Sequence, residues 1–557
     1  MKKILIKTTL FSFLLISLAG CKKYLNINSD PDTPQNPSNS SVFPGMLAGI
    51  PRGVQYDARY MSKYIQNLLT STNANAEISD RHGSIAAPSD NSGDIWRQTY
   101  FGLGKNLNYI IENGLVKEQY DFVGAALVLK SLMFQMATDY HGEIIFTEAF
   151  KEGTYYFKYD SQQVVYKGID SICRLADQYL QTAETKPVTM GASDLSFAGN
   201  ISRWRKLNYA ILAKNFHRLT NKIGLYEADS VIKYCDLAMS SSADDFVIPF
   251  DASKNDDANF YGTYRNNLSS FRQSNFIVKL LDGTTLANTG NASDIDPRIS
   301  HMLTASQDVT NGNGGYRGVD PALGDPFSAL TGVYAVNSTN WINARKRVSV
   351  VWGDSLYVNP SSSAFSLSAG KYLFRDKAVM PVITYHEMQF IKAEAAYRKG
   401  SKGLAYTAYL AGINGHFDFI NRSYSSYRGD ANIYNIAPIS ASARANYLAS
   451  NNVKSQATFT ITDIMLQKYI SLWGYGFLET WVDMRRFHYL DLDPETGLQV
   501  YKNFNFPSSF WVTNNNKPAY RVRPRYNSEY VWNLDQLKIL GADLVDYNTK
   551  ECWFSKP

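Results

Sequence analysis

The stretch TYHEMQFIKAEAAYRKGSKGLAY, residues 384–406, decides the fold class. It reads as a helix from Thr384 to Lys399, a stop at Gly400, and a second helix entered through Ala405 and Tyr406. The small side chains of Ala393, Ala395, Ala396 and Ala405 let two helices close on each other, the signature of a helix-pair repeat. Glu394 lies among these alanines on a face expected to be buried. An isolated carboxylate is costly there, so it needs a cation or backbone donors.

Similar pairs recur outward from this one. Asp94 is read as the N-cap of a helix through Trp96, Tyr100, Leu103, Leu107, Ile110 and Ile111, with Gly114 as its stop. The next helix places Phe122, Ala125, Ala126, Leu129, Leu132, Met133 and Met136 on one stripe. Further helices are read over 164–182, 202–221 and 228–239, and the last strong one holds Ile461, Ile464, Met465, Lys468, Leu472 and Trp473. Between them, residues 240–370 are rich in Asn, Gly, Ser, Asp and Tyr without strong periodicity, and the tail beyond them reads as mostly loop. The fold class is therefore all-α: a tetratricopeptide-like helical-repeat superhelix with a large loop-rich lobe. At 557 residues, length alone suggests three or four domains, but no linker separates the helical blocks, so residues 46–557 are read as one domain.

The N-terminus is an address. Lys2, Lys3 and Lys7 precede an apolar run over Leu10–Ala19, too short for a membrane span of about 20 residues but sufficient for a secretory signal. Small residues Ala19 and Gly20 stand directly before Cys21, the lipobox arrangement. Residues 1–20 are read as a signal peptide and Cys21 as the lipidation site, against the alternative of an ordinary cleaved signal and a chance cysteine. The Pro/Asn/Ser-rich residues 21–45 read as a flexible tether. No later stretch reads as a membrane span.

Without residues 1–20 the formal charge falls from +6 to +3, which does not argue for nucleic acid. Cys173, Cys235 and Cys552 form no CxxC pair, which disfavours zinc; a Cys173–Cys235 disulfide stays open. Asp251, Ser253, Asn255, Asp257 and Asn259 alternate like calcium ligands, but Gly262 stands where a bidentate glutamate should close the site. The acidic pairs Asp244/Asp245 and Asp256/Asp257 are adjacent on loops, unlike the paired carboxylates of glycoside hydrolysis. No nucleophile elbow, zinc-protease helix or phosphate loop is present. His82 and His141 are isolated and read as hydrogen-bonded loop or core residues. No cofactor is expected.

Several segments together resemble the SusD/RagB family of surface lipoproteins of Bacteroidetes. They are Cys21-Lys22-Lys23-Tyr24-Leu25; Asp139-Tyr140-His141-Gly142 through Glu148-Ala149, with Ile145 where proline is usual; Asp296-Pro297-Arg298 followed by Tyr316; Pro381 through Ala395; Gln467-Lys468, Glu479, Trp481 and Arg485-Arg486; and Arg523-Pro524-Arg525-Tyr526 with Glu529. Lys22 and Lys23 stand where many members carry acids. The resemblance implies a right-handed helical-repeat scaffold, pairing with a TonB-dependent (SusC-like) outer-membrane transporter, and capture of an oligosaccharide or, in some members, a peptide. The expected location is the outer membrane, lipid-anchored and facing the exterior.

Aromatics make up 14% of the chain, and several sit in polar loops where packing alone does not explain them. The ligand site is placed on Asp80, Arg81 and His82 and on the lobe bearing Tyr316, Tyr334 and Trp341, with Trp352 a further lobe aromatic. Flat rings suit sugar faces and polar neighbours suit hydroxyls; the competing reading is that each ring packs the lobe's own core. The concave face near Trp96 and Tyr100 is the next candidate. The leading function is non-catalytic oligosaccharide binding and delivery to the transporter; peptide binding, a glycan-degrading enzyme and a purely structural repeat are the competitors.

Overall fold

The computed structural model describes residues 36–72, 90, 92–355, 357, 370–426 and 436–557. Its frame is helical. Helix α1 (Asn39–Tyr64) is followed by a short helix Asp94–Arg97, a π-helical turn Gln98–Gly104 and α2 (Lys105–Val116). Then come α3 (Tyr120–His141), α4 (Gln162–Ala183), α5 (Ile201–His217), α6 (Ala228–Leu237), α7 (Tyr385–Arg398), α8 (Lys402–Ser426), α9 (Ile461–Leu472) and α10 (Phe477–Arg486). The architecture is a tetratricopeptide-like stack of helix pairs carrying an irregular lobe.

Local chemistry starts many of these helices. The side chains of Ser38, Ser161, Asn200 and Thr384 each accept an amide of the first turn, and Thr460 with Asp463 forms a capping box at α9. Packing then selects their faces. α3 is buried almost throughout and sits against both α2 and α4. Gly124 is small because Leu180 of α4 occupies the space a Cβ would need, 2.6 Å away. Among the described residues α3 is also the one helix long and apolar enough to cross a membrane, a property the sequence reading did not assign to any segment after the signal. Here it is the core helix of the stack.

Three differences from the sequence reading have physical causes. α1 begins at Asn39, inside the stretch read as tether, because Ser38 caps it and Phe43 and Leu47 bury completely. The helix read as capped by Asp94 is capped by another segment: Asp57 of α1 accepts the amides of Asp94 (3.3 Å) and Ile95 (2.8 Å). Gly114 does not stop α2, which runs to Val116; it is small because Val123 of α3 lies 2.8 Å from where its Cβ would be. Arg485 and Arg486 form the last turn of α10.

Two short antiparallel ladders stitch the lobe to the frame. β1 (Leu68–Thr70), directly after α1, pairs with β3 (Phe271–Gln273), Leu69 opposite Arg272. β2 (Phe246–Pro249) pairs with β4 (Val379–Ile383), which leads into α7.

Glu394 finds two cations and a neutral imidazole. Arg486 donates to both carboxylate oxygens at 2.7 and 2.8 Å, and His217 and Arg398 each lie 2.8 Å away. Burial pushes this carboxyl up, but Arg486 foremost, with His217 and Arg398, holds it well below the usual range. The seam continues through Asp483, Lys468, Glu479, Lys214, Arg218, Glu387 and Asp139, each carboxylate within 3.3 Å of a cation. Five buried carboxylates thus meet four buried cations and Arg398 at the rim, so the seam is close to neutral. An arrangement of this kind specifies register more than it adds stability.

Candidate functional site

The lobe is built on the segment 305–308. Ala305 bridges Tyr316 on one side, and Ser306 N–H donates to Gly315 O at 2.9 Å. On the other side Asp308 N–H donates to Arg345 O at 2.9 Å, and Ser306 Oγ donates to Arg347 O at 2.8 Å. Gly315, at φ +89°, is required because a Cβ there would lie 2.7 Å from Ser306 O. Arg317 closes the turn onto the Asp308 carboxylate at 3.0 Å. Burial opposes ionisation of Asp308, but Thr310 and Arg317 hold its carboxyl below the usual range. The loops are thereby stapled without regular secondary structure.

On this base three of the expected site residues are half-buried. Tyr316 carries the Lys371 ammonium 5.9 Å from its ring. Trp341 lies on the short helix Thr339–Ala344, capped by Ser338, with the Arg345 guanidinium over its indole at 4.5 Å. Tyr334 stands beside Gly332, and its neighbours Val333 and Val336, with Ile342 next to Trp341, are 71%, 64% and 39% exposed. Apolar exposure concentrated on loops marks a surface that meets a partner or ligand. Trp352 is different: it is fully buried, its indole N–H donating to Tyr261 O at 2.7 Å, so it packs the core as the competing reading held. Asp80, Arg81 and His82, like Cys21, lie outside the described residues.

The conspicuous polar residues of the chain are held in structural bonds. Arg298 is buried and forks onto Asp296 at 2.6–3.0 Å while also donating to Gln467, Tyr447 and His416. Asp244 pairs with Lys206 at 2.7 Å, and Asp245 accepts the Tyr385 amide at 2.7 Å, so these two acids anchor α5 and α7. Asn259, the last of the alternating oxygen residues, is buried and bonded to Gln55, Leu373 O and Arg375 O. Gly262 is small because Asp376 Oδ1 would sit 2.2 Å from a Cβ there. Among the described residues no cluster of three or more metal-ligating side chains occurs. His141 donates to Val522 O at 3.0 Å, and burial pushes its pKa down to about 4. Cys173, Cys235 and Cys552 are free and buried.

A family profile described as "Starch-binding associating with outer membrane" matches residues 33–509. The chain belongs to the SusD-like family. No curated protein sequence matches it. Solved structures similar to this SusD-like protein include a chitin-binding SusD homologue from Flavobacterium johnsoniae (18% identity, TM-score 0.61, 93% of this chain and 98% of that one). Others are a SusD/RagB family protein from Bacteroides thetaiotaomicron (21%, 0.60, 92% and 98%) and a Bacteroidetes SusD-like protein (17%, 0.65, 94% and 100%). At these identities the likeness establishes the fold.

The SusD-like frame also forms a concave surface that sequence reasoning located only in part. A cleft of about 660 Å³ is lined by Tyr100, Tyr109, Phe150, Tyr155 and Phe157, with Lys105 and Glu529 among its polar groups. Tyr100 donates to Ile145 O at 2.6 Å and Tyr109 to Pro37 O at 2.7 Å, which fixes both rings. Glu529 accepts from Tyr159 and Asn533, and burial pushes its carboxyl up. Trp96, named with Tyr100 as the next candidate, is buried behind this wall, 4.7 Å from the Tyr100 ring. The contributing segments lie up to 429 positions apart in sequence, from Tyr100 to Glu529, and no local signal joins them.

Proposed function

We propose that this SusD-like protein binds an oligosaccharide on its loop lobe, without catalysing its cleavage, and passes it to a TonB-dependent outer-membrane transporter. The observation that carries the reading is the stapled lobe, which holds Tyr316, Tyr334 and Trp341 half-open beside exposed apolar side chains. Rings fixed in advance lose little freedom when a sugar stacks on them. The family description, starch-binding and outer-membrane-associated, and the chitin-binding relative support the ligand class. Asp80, Arg81 and His82 join this proposed site; Ser71, shortly before them, accepts the Asp325 amide of the lobe at 2.9 Å. The aromatic cleft at Tyr100 is the second reading, favoured by its volume. Anchoring through lipidated Cys21 and an outward orientation complete the proposal.

A combined glycan and peptide array probed with the purified full-length protein tests the ligand class. Binding confined to peptides, or release of new reducing ends from bound glycans, would overturn it. Affinity purification from membranes should recover a large TonB-dependent transporter in near-equal amount, and Cys21→Ala should move the protein out of the salt-washed membrane fraction.

A further inference from the structure

A second concave surface, on the flank of α1, differs chemically from both of these. Three arginines from separate segments converge on a cleft of about 310 Å³: Arg52 from α1, Arg97 from the helix before the π-helical turn, and Arg265 from the loop after β2. The single acid on its wall is Asp256, whose side chain is 88% exposed and lies 3.7 Å from Arg265. Arg97 has a comparably loose partner, Asp94 at 3.7 Å. Arg52 is exposed and has no ion-pair partner among the described residues. These separations are longer than the 2.5–3.3 Å pairs of the buried seam, and the other partner of Arg265 is the neutral Asn255 carbonyl at 3.0 Å, so most of the positive charge here is uncompensated.

The cleft is also shaped. Its floor is made of small residues, including Gly45, Ala48 and Gly49, and the space a Cβ of Gly45 would take is open to 4 Å. Its walls are aromatic. Phe101, on the π-helical turn, is 75% exposed and has the Arg97 guanidinium 5.6 Å from its ring; Phe260 faces Arg265 at 5.8 Å. Covering a phenyl ring left this open is favourable, because it removes apolar surface from water. Gly102 leaves room for the folded-back Gln98 side chain, whose Oε1 would lie 2.2 Å from a Cβ there.

We propose that this cleft is a separate binding site for a saccharide carrying a carboxylate or sulfate group. Guanidinium forks match the two-oxygen edge of either anion, and an ammonium or a neutral donor would not match it as well. Phe101 supplies an open face for the sugar ring that carries the anion, while Phe260, buried and packed against Arg59 and Arg265, braces the wall. The anionic half of the proposal stands on the arginines alone; the saccharide half rests on the glycan-binding reading above. The acidic group would thus be read at a place other than the lobe, and the protein would hold charged chains at two points.

The test uses full-length protein in detergent and two matched probe pairs. One pair is tetragalacturonate and its fully methyl-esterified form; the other is a sulfated carrageenan tetrasaccharide and its desulfated form. Calorimetry should show at least one anionic member binding on the order of tenfold tighter than its neutral match, with affinity falling as salt rises. Which pair responds separates carboxylate from sulfate. Arg52→Gln/Arg97→Gln/Arg265→Gln should abolish that preference, and Phe101→Ala should weaken binding with the charge intact. Trp341→Ala should weaken charged and neutral members alike, so that their ratio persists, which separates this site from the lobe. Equal binding of charged and neutral members, no binding of either anion, or an unaltered preference in the triple variant with an unchanged melting temperature would each overturn the proposal. Neutral glycans binding through the lobe in any of those cases would leave the functional reading standing.

Discussion

Arg486 grips Glu394 through two hydrogen bonds of 2.7 and 2.8 Å in a seam closed to solvent, joining the last frame helix, α10, to α7. The two residues are 92 positions apart, and each supplies the principal counter-charge of the other beside Asp483 and Arg398. Removing one partner of such a pair leaves an uncompensated buried charge and costs about 3–5 kcal/mol. Glu394→Ala should therefore lower the urea midpoint sharply while leaving any ligand affinity of the surviving folded fraction unchanged. A loss under about 1 kcal/mol would mean that Asp483, Thr220 and water suffice to hold Arg486.

His217 shares that carboxylate, and burial, opposed by Glu394, pushes its pKa down to about 4 from 6.5. It is neutral in the folded protein and takes up a proton near pH 6.5 when unfolded. The stability it contributes is full above pH 6.5 and is lost as pH falls from 6.5 towards 4, because the unfolded chain then binds the extra proton. By pH 5 this amounts to about 2 kcal/mol. His217→Gln should lose that much less stability than the wild type between pH 7 and pH 5, measured by urea denaturation at each pH. Parallel pH profiles for the two proteins would contradict the assignment.

Asp57 caps the helix at Asp94 from a neighbouring element, and burial, against the pull of the Ile95 amide, pushes its carboxyl up to about 8. A neutral acceptor can then do the same work. Asp57→Asn should stay within about 1 kcal/mol of wild type, whereas Asp57→Ala should cost about 1–2 kcal/mol and speed amide exchange at Asp94 and Ile95. Equal losses in both variants would show that charge, not acceptance, is what matters.

The lobe aromatics divide into two kinds, and substitution should separate them. Trp341→Ala and Tyr316→Ala should weaken oligosaccharide binding by about tenfold, within a several-fold to hundred-fold range, with little change in melting temperature. Trp352→Ala, emptying a fully buried site, should cost about 3–5 kcal/mol and affect binding only through unfolding. If Trp341→Ala and Tyr316→Ala both bound normally and Tyr100→Ala did not, the ligand site would be the cleft at Tyr100.

Much of the frame was legible from local pattern. The stripe from Phe122 to Met136, the small residues around Glu394 and the helix start at Thr384 each report a helix within one or two turns of sequence. α1 was harder, because Pro44 and Pro51 lie inside it and its first turn shares the composition of the tether before it. The lobe offered the weakest signal: Trp341 and Trp352 are eleven residues apart in similar company, yet one is half-open and the other is sealed against Tyr261.

The sequence by itself determined the helical periodicity and the order of family motifs, because both depend on residues a few positions apart. Only the tertiary structure decided that Asp57 caps Ile95, that Arg486 neutralises Glu394, that Trp352 is core, and that Arg52, Arg97 and Arg265 share one cleft. Burial and charge compensation are set by whatever the fold brings within about 4 Å, however far away it lies along the chain.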